Sequence, residues 1–121
     1  MTIKQPVPSV RTRSSVFLVL VMTVGAALGA AEDERLFLAA NQAAMSKMMV
    51  GMNIGLSGDV DRDFAAAMIS HHQGAIDMAE AQLRYGRNEQ LRRIAQEIIV
   101  TQRQEIAAMK LAIASSMGAQ K

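Results

Sequence analysis

The sequence predicts an all-α protein, a small antiparallel bundle of three main helices behind an N-terminal leader. Three observations predict it. Half of the 121 residues are hydrophobic, the chain is rich in Ala, Met and Leu, and both prolines lie before residue 9. Apolar residues recur three and four apart over long stretches, the period of a helix face. The breaks between those stretches, at residues 53–59 and 86–88, carry glycine and helix-capping residues.

The first stretch reads as a secretory leader. Lys4, Arg11 and Arg13 precede the apolar run Val16 to Ala31, and Glu-Asp-Glu-Arg follows at once. A basic start, an apolar middle and small residues at a cut site make up this layout. Gly29 and Ala31 suit the minus-three and minus-one positions of a cut before Glu32, and a cut a few residues earlier fits too. The run holds 16 residues, fewer than the roughly 20 of a membrane-spanning helix. The expected division is therefore 1–31 signal peptide and 32–121 helical domain, exported, with no stable membrane insertion after cleavage. Thr12 separates Arg11 from Arg13, so a twin-arginine signal is not expected.

Cleavage changes the charge balance. The whole chain is formally +2, but losing Lys4, Arg11 and Arg13 from its 13 basic residues leaves 10 against 11 acidic ones, about −1. With three Phe, one Tyr and no Trp there is no basic patch interleaved with aromatics, so nucleic acid is not an expected partner. The absence of Cys excludes disulfides and thiolate metal sites. A domain of about 90 residues builds a marginal core by itself and needs a tight bundle or self-association.

The first helix of the domain is expected over Asp33 to Met52. It carries Met45, Met48 or Met49, and Met52 at i, i+3/i+4 and i+7 on one face; such a stripe serves more often as adaptable core than as a ligand set. Asp59 is the expected N-cap of the second helix, with Asp61 and Asp63 at its positive end. The alternating aspartates suggest calcium superficially, but Phe64 and Ser70 stand where a calcium loop needs Gly and Glu. The second helix should end near Tyr85, with Gly86 suited to a left-handed C′ position and Asn88 capping a third helix over about Glu89 to Met117. The inward stripe expected there is Leu91, Ala95, Ile98, Gln102, Glu105, Met109 and Ala112.

Both histidines of the chain lie on the second helix. His71 belongs to an apolar stripe with Phe64, Ala67, Ala75 and Met78, and His72 to one with Ala65, Met68, Ile76, Ala79 and Leu83. Met68 neighbours both. A lone His on an apolar face is usually a core residue with a backbone partner. An adjacent pair beside a thioether also offers the ligand types that suit copper. The short link before Glu89 makes helices two and three an antiparallel hairpin, which sets Asp63 against Lys110, Glu80 against Arg93, His71 against Gln102 and Met68 against Glu105, with His72 and Met109 within a turn. Polar residues of two apolar faces thus share one level, either satisfying one another and fixing register or forming a metal site.

The motif Met-Ile-Ser-His-His-Gln-Gly-Ala-Ile-Asp-Met-Ala (Met68 to Ala79), then Leu-Arg-Arg-Ile-Ala-Gln-Glu-Ile-Ile (Leu91 to Ile99) and Gln-x-x-Glu-Ile-x-x-Met (Gln102 to Met109), resembles the DUF305 family of small exported bacterial proteins. The resemblance runs from about Met45 to Leu111. It implies a ferritin-like helical bundle and, for the better understood relatives, periplasmic copper binding linked to copper resistance. By this resemblance the His-His pair falls on His71 and His72, the methionines around it on Met68 and Met78, the later motif on Gln102, Glu105 and Met109, and the methionine-rich first helix on Met45, Met48, Met49 and Met52. Ser70 departs from the usual Pro before the pair, and Lys110-Leu111 from the frequent Trp-Leu.

The expected function is therefore a non-enzymatic periplasmic copper-binding protein in copper homeostasis or resistance. It would hold Cu(I) by Met thioethers and imidazoles, with Cu(II) open to the histidines. Metal ligands are sought among Met45, Met48, Met49, Met52, Met68, His71, His72, Met78, Glu105 and Met109, and expected partners beyond the metal ion are a second copy and a copper-transfer protein. Met68 and Met78 are about 15 Å apart along the helix, too far for one ion. The rival is a structural or interaction bundle whose polar layer only sets register. A di-iron enzyme needs Glu-x-x-His motifs, and no Glu stands three before either His.

Overall fold

The computed structural model describes residues 13–118 apart from residue 56, with side chains described over residues 27–116. Three helices account for nearly all of them: α1 (Arg13–Met52), α2 (Val60–Tyr85) and α3 (Glu89–Gly118). The protein is a small all-α helical bundle. The chain divides into two compact units, Met1–Glu32 and Asp33–Lys121, the second of which holds both histidines. Within the described residues no helix is long and apolar enough to cross a membrane.

The helix boundaries follow from local chemistry. Asp59 takes an extended conformation and its side chain accepts from the backbone N–H groups of Asp61 and Arg62, satisfying donors that the first turn leaves unpaired. Asp63 accepts from the backbone N–H of Ser57 at 3.2 Å, which closes the turn before α2. Asp59 is therefore engaged as the cap and Asp63 in the turn before it, while Lys110 lies at the level of Asp63, lining a groove with Arg62, Ala65 and Ala66. Asn88 caps α3, its side-chain oxygen accepting from Leu91 N at 3.0 Å.

The end of α2 is built differently from expectation. Gly86 is not left-handed; it is extended, at φ −76° and ψ 145°. Its lack of a side chain is still used, because a Cβ there would lie 2.6 Å from the backbone carbonyl oxygen of Gln82. The Arg92 guanidinium donates to the carbonyls of Leu83 and Gly86, so a cation of the next helix satisfies the end that a left-handed glycine otherwise closes. The positive-φ glycine among the described residues is Gly58, at 84°, in the α1–α2 link.

Small residues draw the helices together. The buried apolar residues are Ala44, Ala65, Ile76, Ala79, Ala81 and Ala95, and of the larger side chains Ile76 alone among those described is fully buried. α1 and α2 meet at two glycines: a Cβ on Gly51 would lie 2.6 Å from Ser70 Oγ, and one on Gly74 would lie 2.8 Å from both Cβ and Sδ of Met48. Rising numbers on α1 meet falling numbers on α2, so the two run antiparallel. Lys47 Nζ to Asp77 Oδ2 at 3.2 Å and Arg87 to Asp33 at 2.7 Å continue the same register.

α3 packs antiparallel on α2. Near the hairpin Met78 and Ala79 line one groove together with Ala95. Glu80 reaches Arg103 at 3.2 Å and not Arg93, and farther from the turn the facing shifts, with His72 against Glu105. Of the expected inward stripe on α3, Ala95 is buried and Ile98, Gln102 and Met109 half-buried, whereas Leu91, Glu105 and Ala112 are exposed. Phe64, placed on an apolar stripe of α2, is exposed as well. With α1 on one side of α2 and α3 on another, these positions find no covering helix within the unit.

Candidate functional site

The two histidines, adjacent in sequence, occupy different surroundings. One residue is a 100° turn of a helix. His72 points between α2 and α3 and is 8 % exposed, while His71 is exposed. Their ring centroids are 6.0 Å apart in an edge-on arrangement.

His72 Nε2 lies 2.7 Å from Glu105 Oε2 on α3. A carboxylate only accepts, so Nε2 carries the proton of this bond. His72 Nδ1 is buried without a protein hydrogen-bond partner, and so is Gln102 Oε1 one turn before Glu105. The polar layer expected between the helices therefore exists, with its members exchanged: His72 and not Met68 faces Glu105, and His71 is outside the layer that was to set it against Gln102. The drift of register along α3 accounts for the exchange.

His71 shares its side of the molecule with the α1 methionines. The residues that bring α1 and α2 together are Met48 and Gly51 on one helix and Ser70 and Gly74 on the other, with Ala44 buried one turn before Met48. One residue forward of each is Met49, Met52, His71, Ala75 and Met45. On antiparallel helices a step forward turns both toward the same side of the pair. So Met45, Met49 and Met52 line one border of an open strip and His71, Ala75 and Met78 the other. The contacts of Gly51 with Ser70 and Met48 with Gly74 put His71 at the level of Met49 and Met52, and Lys47 with Asp77 puts Met45 at the level of Met78.

Exposure separates donors from core. Met45 is 43 % and Met49 59 % exposed, so these two are not core methionines of the unit. Met48 is half-buried with its sulfur against Gly74, where it serves packing. Met52, Met68, Met78 and Met109 are half-buried, Met78 in the apolar groove between α2 and α3. Glu105 is half exposed and committed through Oε2 to His72.

The donor set fits a soft metal better than a hard one. The open strip carries thioether and imidazole, which are soft and borderline ligand types, and among the described residues no three His, Cys, Asp or Glu side chains converge as a metal-holding group. Sequence reasoning passed over Asn41, whose Oδ1 is buried without a hydrogen-bond partner. Its spacing of three and seven from Ala44 and Met48 was the available signal.

Comparison with curated proteins gives no match. The family model described as domain of unknown function (DUF305) matches residues 22–113, which covers most of α1, all of α2 and most of α3. That span includes the His-His motif and the later Gln-x-x-Glu motif together, and on it the chain belongs to the DUF305 family.

Proposed function

We propose that this is a non-enzymatic copper-binding protein of the periplasm, acting in copper homeostasis or resistance. The observation that carries the reading is the exposure of His71, Met45 and Met49 on one side of the α1–α2 pair. Exposed thioethers beside an exposed imidazole, in a chain without Cys, form a donor set for Cu(I) that tolerates an oxidising compartment. His71 with Met49 and Met52 would hold one ion, Met68 lying one turn away on α2, and Met45 with Met78 would form a second and weaker site. When bound, the metal would be carried rather than used as a catalyst. Export rests on the basic, apolar and small-residue layout of residues 1–31.

A register role is favoured for the other histidine by its 2.7 Å bond to Glu105. The two accounts of the polar layer thus divide between neighbours, with His72 and Glu105 pinning α2 to α3 and His71 facing the metal. Thermal unfolding with and without Cu(I) under anaerobic conditions tests the reading: a ligand of the folded state raises the melting temperature. Replacing Met45, Met49 and Met52 together by Leu should lower copper stoichiometry while leaving helicity unchanged, since the swap costs less than about 1.5 kcal/mol even in a core. A melting temperature indifferent to copper rejects the reading.

A further inference from the structure

The open strip continues into an apolar groove. Ala75 and Met78, which border the strip, also line a groove between α2 and α3 with Leu91, Ile94 and Ile98. One turn pair upstream, Leu38 extends the Met45 side and Phe64 the His71 side, each seven residues away along its helix. The stripes so defined contain no Asp, Glu, Lys or Arg.

We propose that this face is a self-association surface that takes a second copy of the chain. At about 200 Å² for a large apolar residue, the exposed fractions of Leu38 (58 %), Met45 (43 %), Met49 (59 %), Phe64 (61 %), Leu91 (51 %) and Ile94 (44 %) together leave roughly 600 Å². That lies at the upper end of the roughly 300–600 Å² of the largest patch on a typical monomer, and with the half-buried Met52, Met78 and Ile98 it approaches the roughly 800 Å² per partner of a standard interface. Among the described residues the core holds one large fully buried side chain, which makes it marginal for a unit of this length. A second copy suits the face better than an unrelated partner because one chain presents both complements, an apolar ridge on α1 and a groove between α2 and α3. Two-fold pairing lays each ridge on the other copy's groove and closes, and the lack of charge on the stripes removes like-charge repulsion.

The pairing does not rest on copper, and its test is done without it. Sedimentation of the purified protein in chelator should give the mass of two chains at high micromolar concentration. Ile94→Glu and Leu38→Glu, on different helices, should each halve that mass with the helical circular dichroism retained. Val100→Glu, on the side of α3 turned away from α2, should leave it unchanged. Leu38 is on the outside of α1 and supports no core, so its variant stays informative if Ile94→Glu unfolds. A parent that sediments as one chain, or a two-chain mass that survives both Glu variants, overturns the proposal.

Discussion

His72 Nε2 and Glu105 Oε2 lie 2.7 Å apart and tie α2 to α3 through residues 33 positions apart in sequence. Because the imidazole is buried and the carboxylate half exposed, the contact works as a latch at the boundary between core and solvent. A helix hairpin whose seam is mostly alanine has few shape constraints against sliding by a turn, and one directional bond supplies such a constraint.

The latch makes a stability prediction that separates the histidines. His72→Ala should cost about 1–3 kcal/mol in metal-free protein, since it empties a buried position and leaves Glu105 without its partner. Glu105→Leu should cost a similar amount, and Glu105→Gln less, because an amide keeps an acceptor in the same place. His71→Ala should fall within about 0.5 kcal/mol of the parent, as expected for an exposed residue. Urea unfolding followed by circular dichroism measures all four, and equal losses at His71 and His72 would contradict the division of roles.

A second prediction concerns the α1–α2 seam. Gly74→Ala gains up to about 1 kcal/mol of helix propensity, but the new methyl would sit 2.8 Å from Met48 Cβ, an atom fixed to the α1 backbone. Overpacking of that kind costs about 1–3 kcal/mol, so the net effect should be a loss, measurable in the same urea titration. Met48→Ala should fail to rescue it, because the Cβ contact remains.

Much of this architecture was legible in the sequence. Asp59, Asn88 and the end of α2 at Tyr85 were found because capping is a matter of a few adjacent residues. The meeting of His, Gln and Glu at one level was found because antiparallel hairpins have a register that can be counted. The identity of the pairs was not, since the facing drifts by a residue or more along α3 and a histidine pair cannot reveal which member turns inward. Gly86 misled for a related reason: a glycine after a helix favours the left-handed turn, and nothing local foretold that Arg92 would take the carbonyls of Gly86 and Leu83 from six and nine residues on.

The leader makes a third prediction. Mass spectrometry of the exported protein should find an N-terminus between residues 30 and 33, because a short apolar run followed by Glu-Asp-Glu-Arg fits cleavage. The full chain recovered from the membrane fraction would contradict it.

The central claim, that His71 and the exposed α1 methionines hold copper while His72 holds the fold, is tested most directly by an anaerobic Cu(I) titration against a chelator of known affinity. Parent, His71→Ala and His72→Ala should be compared at a temperature where all three remain folded. The account predicts that His71→Ala weakens the tightest site about tenfold or more, at least about 1.4 kcal/mol, and that His72→Ala retains that site at close to parental affinity. A parent that binds no Cu(I), or a His71→Ala variant that binds it as tightly and in the same amount, would contradict the account.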